Sequence, residues 1–145
     1  MDSTLMDHHK LDRFVEAQAE TYDQVCLELE AGRKLSHWIW YIFPIMEGLG
    51  TSSMSHKFAI TSLLEAVDYI EHPILGPRLI ECTSLVVKVR GKPINRILGV
   101  IDAAKFKSCM TLFAHVAVDN HLFLKALERY FDGEYDQLTL DIINR

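Results

Sequence analysis

The chain has 145 residues, 49% of them hydrophobic and 24% charged, with a formal net charge of −5. A chain of this length buries roughly 70% of its unfolded surface, so a core is available without disulfide or metal staples. The apolar content excludes a disordered chain, and seven glycines and four prolines are too few for a fibrous or linker protein. The acidic balance disfavours bulk binding to nucleic acid, which rests on neutralising phosphates.

Residues 1–9 are expected to form an N-terminal tail on one helical domain spanning residues 1–145. Met1 to Lys10 lacks the apolar stretch of a signal peptide. Leu11, Phe14, Val15, Gln18, Tyr22, Val25 and Leu29 recur at helical spacing, and Gly32 suits the C-terminal cap. Ser36 is placed to cap a short helix that stops at Pro44. The stretch Gly48 to Ser53 reads as a loop. Ser62 followed by Glu65 is a capping-box signature for a helix to about Ile70. Pro77 suits the first turn of the next helix, which ends near Gly91. Asp102 is expected to cap a helix through Ala117. A further helix over 120–131 is closed by Gly133, and a last short one covers 138–143. Strand signals are weak throughout, so the expected fold is all-α, six to eight helices packed as an orthogonal bundle.

The cysteines, Cys26, Cys82 and Cys109, are odd in number and widely spaced. They imply neither a disulfide framework nor a zinc site, and each sits among apolar residues as a small hydrophobe. The seven histidines show no metal spacing, with His8 and His9 at the terminus. No metal and no cofactor are expected. The longest charge-free run, Leu35 to Met46, is too short to span a bilayer, and a cytoplasmic location is expected. Charge is uneven along the chain. Residues 1–31 carry eight acids and two bases, whereas residues 76–107 carry seven bases against Glu81 and Asp102. Such a basic segment suits an anionic ligand, an acidic partner face or simple packing beside the acidic first helix.

Three stretches concentrate chemistry. Both tryptophans fall in Lys34-Leu35-Ser36-His37-Trp38-Ile39-Trp40-Tyr41-Ile42-Phe43-Pro44. On a helix Lys34, His37 and Tyr41 share a face with Trp40 on its flank. This segment is either an aromatic pocket wall with Lys34 and His37 as its polar end or a core helix. On the helix after Asp102, Lys105, Ser108, Thr111 and His115 form one polar stripe that suits a phosphate or carboxylate, or simply faces water. In His72-Pro73-Ile74-Leu75-Gly76-Pro77-Arg78, a rigid turn enters a helix whose backbone N–H groups can face an anion. No Walker loop, GxGxxG, HExxH, GxSxG or paired-carboxylate motif occurs, and no catalytic triad can be assigned.

The strings AGRKLSHWIWYIFP, GLG, HPILGPRL and DAAKFKSCMTLF, with FVEAQ before and FDGEYDQLTL after them, resemble the family known as domain of unknown function 1810. The resemblance runs from about Leu11 to Leu140. It implies a predominantly helical single domain found in bacteria and fungi, without an established activity. Some members carry the name of a calpain inhibitor, a disordered and repetitive protein unlike this chain. The family's polar and aromatic pattern falls on Gln18, Lys34, His37, Trp38, Trp40, His72, Arg78, Lys105, Ser108 and Thr111. Two positions depart from it: Ile45 follows Phe43-Pro44 where the family has glutamine, and Cys109 stands where it has serine.

Two functional expectations follow. In the first, a polar and aromatic cleft binds a small anionic, phosphate-bearing or nucleotide-like ligand. Gln18, Lys34, Trp38, Trp40, Arg78, Lys105, Ser108 and Thr111 would bind it, with His37 or His72 as acid or base. In the second, the chain is a non-catalytic helical module that binds another protein or its own copy as a homo-oligomer. Nucleic acid ranks third, through residues 78–107, and no membrane partner is expected.

Overall fold

The computed structural model describes residues 10–145, so the tail expected over residues 1–9, with His8 and His9, lies outside the described residues. Ten helices form among the described residues. They are α1 (Asp12–Ala19), α2 (Tyr22–Glu30), α3 (Ile39–Ile42), α4 (Ser53–Lys57), α5 (Leu63–Glu71), α6 (Leu75–Lys88), α7 (Ile94–Leu98), α8 (Val100–Val116), α9 (His121–Phe131) and α10 (Gln137–Ile143). The all-α expectation holds. The count exceeds six to eight because the first expected helix divides at Thr21 and because α4 and α7 are single-turn helices. Thr21 turns its hydroxyl back onto the Ala17 carbonyl (3.0 Å), which offers the backbone a local alternative to continuing the helix. Ser52 caps α4, its hydroxyl accepting from the Ser55 N–H at 3.1 Å.

Where end signals are local, the helices start and stop as read. Ser62 accepts from the Glu65 N–H (3.0 Å) at the start of α5. Asp132 and Gly133, both at positive φ, close α9. The expected cap at Asp102 is displaced, for α8 already begins at Val100, after Gly99 at φ 89°. The single strand-like pairing among the described residues is an isolated parallel bridge between Met46 and Ile60.

Helix α8 is the central element, packed against α3, α5, α7, α9 and α10. Its residues Ser108 to Ala114 are buried without interruption, so neighbours cover it on every side. The aromatic core threads through it. Phe43 meets Phe106 edge-on at 4.9 Å, Tyr69 lies 5.5 Å from Phe113, and Phe113 lies 6.0 Å from Phe123. Helices α5 and α6 approach so closely at Gly76 that a Cβ there would stand 2.1 Å from the Ile70 carbonyl oxygen. Glycine alone fits that corner.

Candidate functional site

The expected residues separate into distinct clusters. The first is organised by Glu28, near the end of α2, whose side chain is 3% exposed. Its carboxylate accepts from Leu35 N–H (2.7 Å), Ser36 N–H (3.0 Å), Ser36 hydroxyl (2.6 Å), the Trp38 indole N–H (3.0 Å) and the Gln24 amide (3.1 Å). Burial alone would raise this carboxyl, but the hydrogen bonds from Ser36, Leu35 and Trp38 outweigh it and hold it down to about 2. Because Ser36 is committed to Glu28, it does not cap a helix. Residues 33–38 instead run as a bent connection, and α3 is confined to Ile39–Ile42. The helical face proposed for Lys34, His37 and Tyr41 is therefore not formed.

Lys34 turns inward, pairing with Asp102 at 2.8 Å, donating to the Ser36 carbonyl and lying 5.0 Å from the Trp38 ring. Trp38 is 1% exposed and packs on Phe43, so it belongs to the core. Trp40 is half-buried at the core's edge and His37 is exposed.

In the second cluster Gln18 is buried, its amide donating to the Tyr41 carbonyl (2.7 Å) and the Tyr69 hydroxyl (3.2 Å). Arg78 reaches its oxygen at 3.4 Å and lies over the Tyr22 ring at 4.6 Å. Burial, followed by its bond to Glu81, pushes the Tyr22 phenol far up.

The third cluster accounts for the two hydroxyls of the α8 stripe, while His115 stays exposed. Ser108 donates to Asp136 Oδ2 (2.9 Å), and Thr111 accepts from the Asp136 N–H (2.8 Å) while donating to the Lys107 carbonyl (2.9 Å). The same Asp136 oxygen caps α10 by accepting from the Thr139 N–H (3.1 Å) and hydroxyl. These hydroxyls therefore seat α10 on α8. Lys105 and Ser108 do line a shallow groove of about 440 Å³, but beside Ile45, Leu49, Val100, Ile101 and Leu138.

His72 accepts through Nδ1 from the Ile74 and Leu75 N–H groups (3.1 and 3.2 Å), and the Gly76 N–H goes to the His72 carbonyl (3.0 Å). With Pro77 lacking a donor and the Arg78 N–H bonded to Ile74 (3.2 Å), this helix start has no free donor for an anion. Two of the three cysteines match their reading as small hydrophobes, whereas Cys26 is half-buried with its thiol donating to Glu81 at 3.8 Å. Cys82 and Cys109 are fully buried, and burial pushes both thiols up, away from nucleophilic thiolate.

A basic groove of about 580 Å³ lies elsewhere, between the turn that leads into α7 and the C-terminal end of α9. Gly91, Lys92, Pro93, Ile94, Asn95, Arg129, Tyr130 and Phe131 line it. Each cation is anchored by a backbone carbonyl: Lys92 Nζ donates to Gly32 O (3.1 Å) and Arg129 Nη2 to Val89 O (2.5 Å). Among the described residues no carboxylate lies within 4.0 Å of either. The ammonium keeps two further donors and the guanidinium four. Lys92 belongs to the basic segment apparent in the sequence. Arg129 lies 37 residues beyond Lys92, outside that segment, and neither stood out individually.

The chain is thus an all-helical protein with a groove lined by two cations and two aromatic rings. Residues 8–143 match the model of the family described as "Protein of unknown function (DUF1810)", and the chain belongs to that family. It is 45% identical to the conserved hypothetical protein Rv1873 from Mycobacterium tuberculosis, known from a crystal structure. The two share a TM-score of 0.92, with 93% of this chain and 96% of that one covered. No curated protein matches the chain. Among the described residues, no helix is long and apolar enough to cross a membrane.

Proposed function

We propose that the protein binds a small anionic ligand bearing an aromatic or heteroaromatic group, and that the groove at Lys92 and Arg129 is where it binds. The single observation that carries this reading is the pair of cations in one concavity, anchored by carbonyls and, among the described residues, unpaired with any carboxylate. A fixed ammonium and a forked guanidinium suit a phosphate or carboxylate, and the Tyr130 and Phe131 rings line the same groove, with the Arg129 guanidinium 5.5 Å from the Tyr130 ring and Lys107 5.6 Å from that of Phe131. The Asn95 amide adds a donor and an acceptor. A volume of about 580 Å³ lies within the usual range for small-molecule sites. The ligand class is the one expected from the sequence. Its seat is different, since Lys34 is neutralised by Asp102 and Ser108 and Thr111 are engaged with Asp136.

Titration calorimetry with adenosine monophosphate, adenosine and inorganic phosphate tests this. Adenosine monophosphate should bind saturably and more tightly than either of its parts. Lys92→Ala and Arg129→Ala should each weaken it about tenfold, the size of one lost charge-assisted contact. Lys105→Ala should leave it unchanged. Absence of saturable binding, or equal binding by the groove variants and the native chain, would refute the assignment.

A further inference from the structure

A second groove, of about 660 Å³, lies on the surface where α5 ends, α6 begins and α8 gives way to α9. Its apolar lining is Ile70, Gly76, Pro77, Ile80, Ala117 and Val118, and every charged residue in the lining is an acid: Glu71, Glu81 and Asp119. Val118 is 100% exposed, and Ile80 is also exposed. The field here is negative for further reasons. Glu71 is the last residue of α5, which has no base in its final turn, and α8, with His115 in its final turn, also ends here. A helix C-terminus carries partial negative charge. The opposing N-terminus of α6 offers no free donor, because His72 and Ile74 accept its first N–H groups. Arg78, the nearest base in sequence, is turned away onto Tyr22 and Gln18.

We propose that this groove docks a partner polypeptide segment whose apolar side chains are flanked by lysine or arginine. The complementarity is specific in both parts. Apolar side chains cover Ile80 and Val118, and cations answer carboxylates contributed by three separate segments, which a single amine would not span. The site is independent of the Lys92–Arg129 groove and stands whether or not that groove binds an anion.

The test uses a fluorescent helical peptide of leucine and lysine, about 14 residues or four turns long. Two controls replace its lysines with glutamate or its leucines with serine. The leucine–lysine peptide should bind saturably by fluorescence anisotropy, and neither control should. Val118→Ser, and Glu71→Gln combined with Asp119→Asn, should each weaken binding about tenfold. Glu16→Gln with Glu20→Gln, the same charge change at exposed positions on α1 and just after it, should leave it unchanged. All these side chains are exposed, so the variants should fold like the native chain. Equal affinity across the variants, or binding of the glutamate peptide, would overturn the proposal. So would a concentration-dependent dimer in sedimentation that Val118→Ser abolishes, since a second copy would then be the occupant.

Discussion

Glu28 shows how far one side chain's environment departs from what its type suggests. In the sequence it is one of eight acids in an amphipathic first segment, and its natural reading is a solvated face. In the fold it is nearly fully buried and receives five hydrogen bonds. Four of the donors come from residues seven to ten positions ahead, a spacing that no helical or strand period marks. Its carboxyl titrates at about 2, against an ordinary 4.5. Between those values the unfolded chain binds the extra proton and the folded chain does not, so stability rises with pH there. The contribution should be complete above about pH 4.5 and disappear as pH falls through about 2. Glu28→Gln presents an NH₂ group to donors that need an acceptor. It should cost about 3 kcal/mol at neutral pH, read by urea unfolding, and flatten the acid limb. An unchanged acid limb in this variant would show that another carboxylate controls it.

Among the elements, legibility follows the range of the determining contact. The caps at Ser62 and Gly133 and the first-turn Pro77 were readable because each acts within a few residues. The hydroxyls in the polar stripe of α8 misled because the residue they serve, Asp136, lies 28 positions beyond Ser108, and only the docking of α10 turns Ser108 and Thr111 inward. An apparent solvent face was an interface between elements. The corner between α5 and α6 has a sharper requirement. Gly76→Ala would drive a methyl group into the Ile70 carbonyl oxygen, a backbone atom that moves only if α5 shifts. We expect a loss of about 1–3 kcal/mol, typical of overpacking, measured as a lower denaturation midpoint with an unchanged denaturant slope. A native-like midpoint would mean that the two helices separate at little cost.

At the scale of the whole molecule, the net charge of −5 resolves into regions of opposite sign. One groove carries Lys92 and Arg129, while another carries Glu71, Glu81 and Asp119. The sequence showed the basic segment but not its groove, because Lys92 and Arg129 meet only when α9 returns to the turn before α7. The single-domain expectation remains a proposal that unfolding can decide. With α8 in contact with five other helices around a shared aromatic core, helix content and tryptophan emission should be lost in one coincident transition. Two separated transitions would divide the chain into independent units.

The connection between α2 and α3 also constrains how this chain can vary. Surface connections ordinarily absorb inserted or deleted residues with little effect. Here the Leu35, Ser36 and Trp38 donors must arrive at one carboxylate in fixed register. Each residue added or removed moves them out of reach by a full Cα step of about 3.8 Å. The segment from Gly32 to Trp38 is therefore fixed in length although it lies at the surface, and a linker, tag or affinity loop grafted there would dismantle the turn that seats Trp38.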